Sequence, residues 1–142
     1  MIYAFDEADS ELTLLPMAAR RALDAAGLKL SLASYQTLEL AERRELVRLG
    51  AGPVVDATLV RQLCARASGK SASALAAYRE PDELPAELAV ALGVDRPLDR
   101  AQWAALRGLD RYVFDKLLRR DKLGRLRQAY DEIVGSGVPR GA

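Results

Sequence analysis

Three groups of residues could carry chemistry in this sequence. Cys64 is the only cysteine in 142 residues, which rules out an internal disulfide and a cysteine-cluster metal site. It falls with Val60, Leu63 and Ala67 on one helical stripe, which reads as a small buried hydrophobe and not as a nucleophile. The chain has no histidine at all. That removes Ser-His-Asp and Cys-His nucleophile pairs, histidine proton shuttles and the common zinc sites. Asp, Glu, Lys and Tyr could still move protons, and a closed pocket gathering Asp24, Lys29 and Glu42 would be needed to make an enzyme of them. The third group, Ser68-Gly69-Lys70-Ser71, looks like the end of a phosphate-binding loop. That loop requires a glycine five residues before Gly69, where Cys64 stands, and a preceding strand, where the pattern is helical. The expectation is a protein without catalytic residues, resident cofactor or bound metal.

The elements that would position these residues are helices. Ala, Leu and Arg dominate and β-branched and aromatic residues are few, which favours helix over sheet. Leu15 to Leu49 is the organising stretch. Pro16 suits the first turn of a helix and Gly27 the left-handed position just past its end, so the spacing predicts a helix over about Pro16 to Ala26. Ser31 caps the next helix, with Tyr35 and Leu38 on its buried face. A break near Glu39–Leu40 precedes a further helix ending at Gly50 and Gly52-Pro53. Asp56 caps another, Ser71 caps a short one through Tyr78, and Asp99 with Gln102 makes a capping pair. Residues 1–14 read as an irregular arm whose aromatics dock on the bundle, and residues 135–142 as a frayed tail. The whole reads as one all-α domain over 1–142, a compact orthogonal bundle of about six to eight helices.

A second start at Leu84-Pro85 echoes Leu15-Pro16. Holding a shift of 68, Ser31 meets Asp99, Tyr35 meets Trp103, Leu38 meets Leu106 and Glu42-Arg43 meets Asp110-Arg111. The correspondence is either a duplication giving two similar halves, about 15–68 and 84–134, or chance agreement between helices of similar composition. Tyr35 and Trp103 would then be buried anchors, read as core in preference to a ligand platform.

The formal charge is +1, so no global field draws the chain to nucleic acid or an anionic membrane. The acidic start lacks a secretory signal and no apolar run is long enough to span a bilayer, so a soluble, cytoplasmic protein is expected. Between Arg107 and Arg127, eight basic residues stand against three acids. A bend is expected around Asp121, where the apolar spacing falters. Arg111, Lys116, Arg119, Arg120, Lys122 and Arg125 are the candidate partner-binding residues there. They read as a solvated helix face, as a docking surface for an acidic protein, or less readily as a contact for a nucleic-acid backbone, since no nucleic-acid-binding signature accompanies them.

Pro16-Met17, Arg20 or Arg21, Leu23-Asp24, Gly27, Lys29-Leu30-Ser31-Leu32, Tyr35 and Glu42-Arg43 follow a series that resembles the bacterial and cyanobacterial nitrate reductase associated protein family. The resemblance is best over residues 15–49 and looser at Trp103, Leu106, Arg111 and Lys116-Leu117. The family commonly carries a cysteine before its Pro-Met pair, where Leu14 and Leu15 stand here, and a Pro-Cys where this chain has Gly50-Ala51-Gly52-Pro53. Its His-Glu and Asn-Phe-Leu-Pro region is not reproduced at Arg119 to Arg127, so this is a divergent member. The resemblance implies an accessory part in nitrate assimilation or in assembly of a molybdenum-dependent nitrate reductase, with a reductase component as the acidic partner and no catalytic residues. Pro16, Met17, Asp24, Gly27, Lys29, Tyr35, Glu42 and Arg43 are its motif positions. Lys29, Glu42 and Arg43 are expected to form a corner cap and an intramolecular salt bridge.

Overall fold

A computed structural model describes residues 2–65, 73–74 and 77–135. Among the described residues the chain is all-α, with eight α-helices and one two-residue pair of strands. It divides into two compact units, Met1–Arg79 and Glu80–Ala142.

In the first unit α1 spans Met17–Ala25, with Pro16 at its N-cap and Gly27 beyond its end at φ 69°. The positive φ is why glycine stands there. β1 (Leu28–Lys29) pairs antiparallel with β2 (Ser73–Ala74), Leu28 opposite Ala74 and Lys29 opposite Ser73. α2 spans Leu32–Gln36, and Ser31 Oγ accepts from the Ser34 N–H at 3.1 Å, the expected cap. The chain breaks over 37–39 and α3 runs Leu40–Ala51. α4 spans Ala57–Cys64, where Asp56 accepts from the Leu59 N–H at 3.2 Å. The short helix expected from Ser71 to Tyr78 is not formed, because Ser73–Ala74 are extended and hydrogen-bonded to β1. Ser68-Gly69-Lys70-Ser71, Ala67 and residues 136–142 of the expected tail lie outside the described residues.

The core of this unit is built on close helix approach. Ala18, Ala19 and Ala22 of α1 are fully buried, and Gly50 of α3 lies so near that a Cβ there would stand 1.7 Å from the Ala18 carbonyl oxygen. Arg21, also buried, donates to the carbonyls of Gly50 at 2.9 Å and Pro53 at 3.2 Å, and to that of Gly52. The Gly50 carbonyl is one that α3 leaves unpaired at its C-terminus and the other two directly follow it, so a cation there satisfies their lone pairs and the helix dipole.

The second unit holds four helices among the described residues. α5 spans Ala86–Leu92 and is followed by Gly93 at φ 79°. α6 spans Arg100–Ala105, with Asp99 and Gln102 exchanging the two hydrogen bonds of a capping box at 2.8 Å each. α7 spans Gly108–Arg119 and α8 Leu123–Ile133. The expected bend is a clean stop: Asp121 adopts φ 54°, and the Asp121 and Lys122 N–H groups return to the Leu118 and Leu117 carbonyls, a Schellman motif. Trp103 is buried with its ring 6.4 Å from that of Phe114, and its indole N–H donates to the Asp82 carbonyl at 3.2 Å. Tyr130 donates to the Pro97 carbonyl, and Arg96 bridges to Asp131.

Candidate functional site

Of the family-motif positions, Tyr35, Glu42 and Arg43 meet at the corner between α2 and α3 and Met17 is tied to the arm, whereas Asp24, Gly27 and Lys29 lie at the end of α1 and on β1. Glu42, in the first turn of α3, accepts from the Glu39 N–H at 3.0 Å. Arg43 reaches back across the corner to the Gln36 carbonyl at 2.6 Å and outward to the Glu11 carbonyl of the arm at 2.8 Å. Its guanidinium also lies 5.6 Å from the centroid of the buried Tyr35 ring. Arg43 therefore stitches helix, corner and arm together. Gln36 donates to the Thr13 carbonyl at 3.0 Å and adds a second tie.

The arm is itself a built structure. Tyr3 and Phe5 stack at 5.0 Å and both are buried. The Asp6 carboxylate accepts from the Tyr3 N–H and from the Met17 N–H, each at 3.0 Å. Pro16 offers no side chain to cap α1, and Asp6, eleven residues before Met17, supplies the anion at that helix's positive end. Asp9 holds Thr13 through its N–H at 2.8 Å and its hydroxyl at 2.6 Å. Those bonds keep the Asp9 carboxyl below its ordinary pKa. An open cleft of about 310 Å³ lies beside the arm, lined by Ile2, Asp9, Ser10, Leu12, Arg44 and Val47.

Two further groups show what burial does here. Tyr35 is fully buried and its hydroxyl finds no hydrogen-bond partner among the described residues. Burial pushes its pKa up to about 12, Arg43 pulling down and Asp9 adding to the rise. The Cys64 thiol is pushed up to about 11, first by burial and then by the Glu42 carboxylate. A thiol of that pKa stays protonated at neutral pH, consistent with its place on a packed stripe.

The pocket of Asp24, Lys29 and Glu42 that an enzyme reading would need is not formed around Lys29 among the described residues. That side chain is exposed on β1 and makes no hydrogen bond or ion pair among the described residues, so the expected salt bridge does not involve it. Asp24 contributes through its backbone, accepting from Gly27 and Tyr78. Among the described residues no group of three or more Cys, Asp or Glu is placed to hold a metal ion, and no helix is long and apolar enough to cross a membrane.

The basic stretch of the second unit is divided by its own structure. Arg111 turns inward to the Leu106 carbonyl at 2.9 Å and the Ala104 carbonyl at 3.4 Å. Arg119 pairs with Asp115 at 3.5 Å, and Lys116 and Arg125 are half-buried. Arg120 and Lys122 stand exposed on either side of Asp121 in the turn joining α7 to α8. Arg111 is thus a structural clamp, whereas the exposed charge gathers at the turn.

The conserved nitrate reductase-associated protein family matches this chain over residues 2–132. The chain belongs to that family. No curated protein and no solved structure matches it. The match takes in both units of this nitrate reductase-associated protein, so the family pattern extends well past the stretch where the sequence resemblance is plainest. Sequence reading missed Asp6 altogether and named Arg21 only as an alternative to Arg20, with no role. Each acts on backbone groups distant in sequence, and a motif read at fixed local spacing cannot register that.

Proposed function

We propose that this nitrate reductase-associated protein is a non-catalytic cytoplasmic accessory factor. It supports nitrate assimilation by docking on an acidic surface of a molybdenum-dependent nitrate reductase component. The observation that carries the reading is the family match over nearly the whole chain. The exposed cations of the α7–α8 turn support the choice of surface. Arg120 and Lys122 extend into solvent from a turn whose backbone is fixed by two hydrogen bonds, so little order is lost when a partner's carboxylates engage them. A nucleic-acid backbone fits less well, because Arg111 and the paired Arg119 interrupt the continuous basic stripe such binding uses.

The test is co-sedimentation of the full chain with apo nitrate reductase at low salt, together with deletion of the gene in nitrate-grown cells. Association lost in the Arg120→Glu, Lys122→Glu double variant, with impaired nitrate reduction in the deletion strain, is the expected result. No association, together with intact nitrate reduction, would reject the role. A salt-dependent shift of duplex DNA at equal concentration would point to the nucleic-acid reading instead.

We also read the two units as copies of one helical unit. Ser31 and Asp99 as caps, Tyr35 and Trp103 as buried anchors, and the ends of α3 and α7 all stand 68 positions apart, and so do Arg43 and Arg111. Each of these arginines donates to the carbonyl seven residues before it, Gln36 or Ala104.

A further inference from the structure

We propose that the cleft between the N-terminal arm and α3 binds a free α-amino acid with an apolar side chain. Its volume of about 310 Å³ lies at the small end of the range for small-molecule sites. Leu12 and Val47 are buried and make its floor, and Ile2, 39% exposed, makes a wall. Asp9, Ser10 and Arg44 line it from exposed positions at the mouth.

The charges at that mouth are of two kinds. On α3, Arg43 is committed to backbone carbonyls and Arg48 to Glu45. Arg44 makes no hydrogen bond or ion pair among the described residues. Asp9 is held in place by Thr13, and the same bonds keep it ionised. Each of its oxygens has capacity for a further donor. The cleft therefore presents one fixed anion and one unengaged cation above an apolar floor.

A fatty acid would pair with Arg44 and leave the Asp9 carboxylate unanswered, and a simple amine would pair with Asp9 and leave Arg44 unanswered. Either end of a polypeptide carries only one of the two charges. A zwitterion with an apolar tail answers the carboxylate, the guanidinium and the floor together. The floor is preformed: Leu12 is held at φ 52°, a left-handed conformation that a leucine adopts only when its surroundings impose it, in an arm pinned through Asp6, Asp9 and Arg43. This inference does not depend on the reductase reading.

The test is an NMR titration of the uniformly ¹⁵N-labelled full chain with L-leucine and L-phenylalanine, up to about 10 mM, ten times a millimolar Kd. Glycine, leucinamide, N-acetyl-leucine and N-acetyl-leucinamide serve as probes lacking the tail, the carboxylate, the ammonium or both charges. Saturable shifts confined to the arm and α3 are expected with the two apolar amino acids alone. Arg44→Gln and Ile2→Trp, both at exposed positions, should each weaken binding about tenfold or more, with the circular dichroism spectrum unchanged. No saturable shift with either amino acid, or binding indifferent to both substitutions, overturns the proposal. Equal binding of N-acetyl-leucinamide also overturns it, and would assign the cleft to a partner's apolar side chain.

Discussion

At the scale of single residues, burial decides more than residue type. Tyr35 hides a hydroxyl with no partner among the described residues, and an unpaired buried polar group is a cost to the folded state. Tyr35→Phe keeps the ring beneath Arg43 and removes that cost, so it should raise stability by about 1 kcal/mol in urea titration. Tyr35→Ala should lower it by about 3–5 kcal/mol by leaving a cavity.

The same burial makes stability depend on alkaline pH. A group whose pKa is raised on folding holds its proton more tightly in the native state. Its contribution is intact below the unfolded pKa and is lost as pH rises through the folded one. For Cys64 the loss runs from 9.0 to about 11, and for Tyr35 from 10.0 to about 12. Denaturant midpoints should therefore hold steady to about pH 9 and fall through pH 12, and Tyr35→Phe should flatten the upper part of that fall. A midpoint that falls just as steeply in Tyr35→Phe would mean the phenol is not held neutral by the fold.

At the scale of elements, the approach of α1 to α3 depends on a missing side chain. Gly50→Ala forces a methyl group into the Ala18 carbonyl, so the helices must part, and a loss of about 3 kcal/mol or more is expected by thermal or chemical denaturation. Asp121 offers the converse case. It is exposed and sits at the left-handed position of the α7–α8 turn, where glycine fits without strain. Asp121→Gly should gain about 0.5–1 kcal/mol. It also removes the anion between Arg120 and Lys122, so the proposed binding to an acidic reductase surface should tighten in the same variant, as equilibrium sedimentation can measure.

Elements were also the most legible level of the sequence. Pro16, Gly27, Ser31, Asp56 and the Asp99–Gln102 pair marked helix ends through side-chain or backbone chemistry confined to four residues, and each mark was found in place. Ser71 to Tyr78 misled because Ser73–Ala74 take their partners from β1, more than forty residues earlier. Local propensity contains no record of such a pairing.

At the scale of the molecule, the net charge of +1 gives no long-range attraction, so the proposed docking must rest on where charges are placed. Reversing an exposed cation outside the α7–α8 turn, as in Arg61→Glu, should change the affinity of the proposed reductase complex by no more than about twofold, whereas Lys122→Glu should weaken it strongly. Equal effects of the two reversals would show that overall charge governs association and that the turn has no special part.

Composition, periodicity and cap residues were enough to determine a helical chain without histidine chemistry, and the motif spacing pointed to its family, because each of these acts within a turn or two of helix. Tertiary structure alone decided which of the arginines are free. Arg21, Arg43 and Arg111 end on carbonyls, while Arg44 and Arg120 face water. The same side chain becomes a clamp or stays exposed according to whether backbone oxygens from elsewhere in the fold come within its reach, and sequence spacing does not contain that distance.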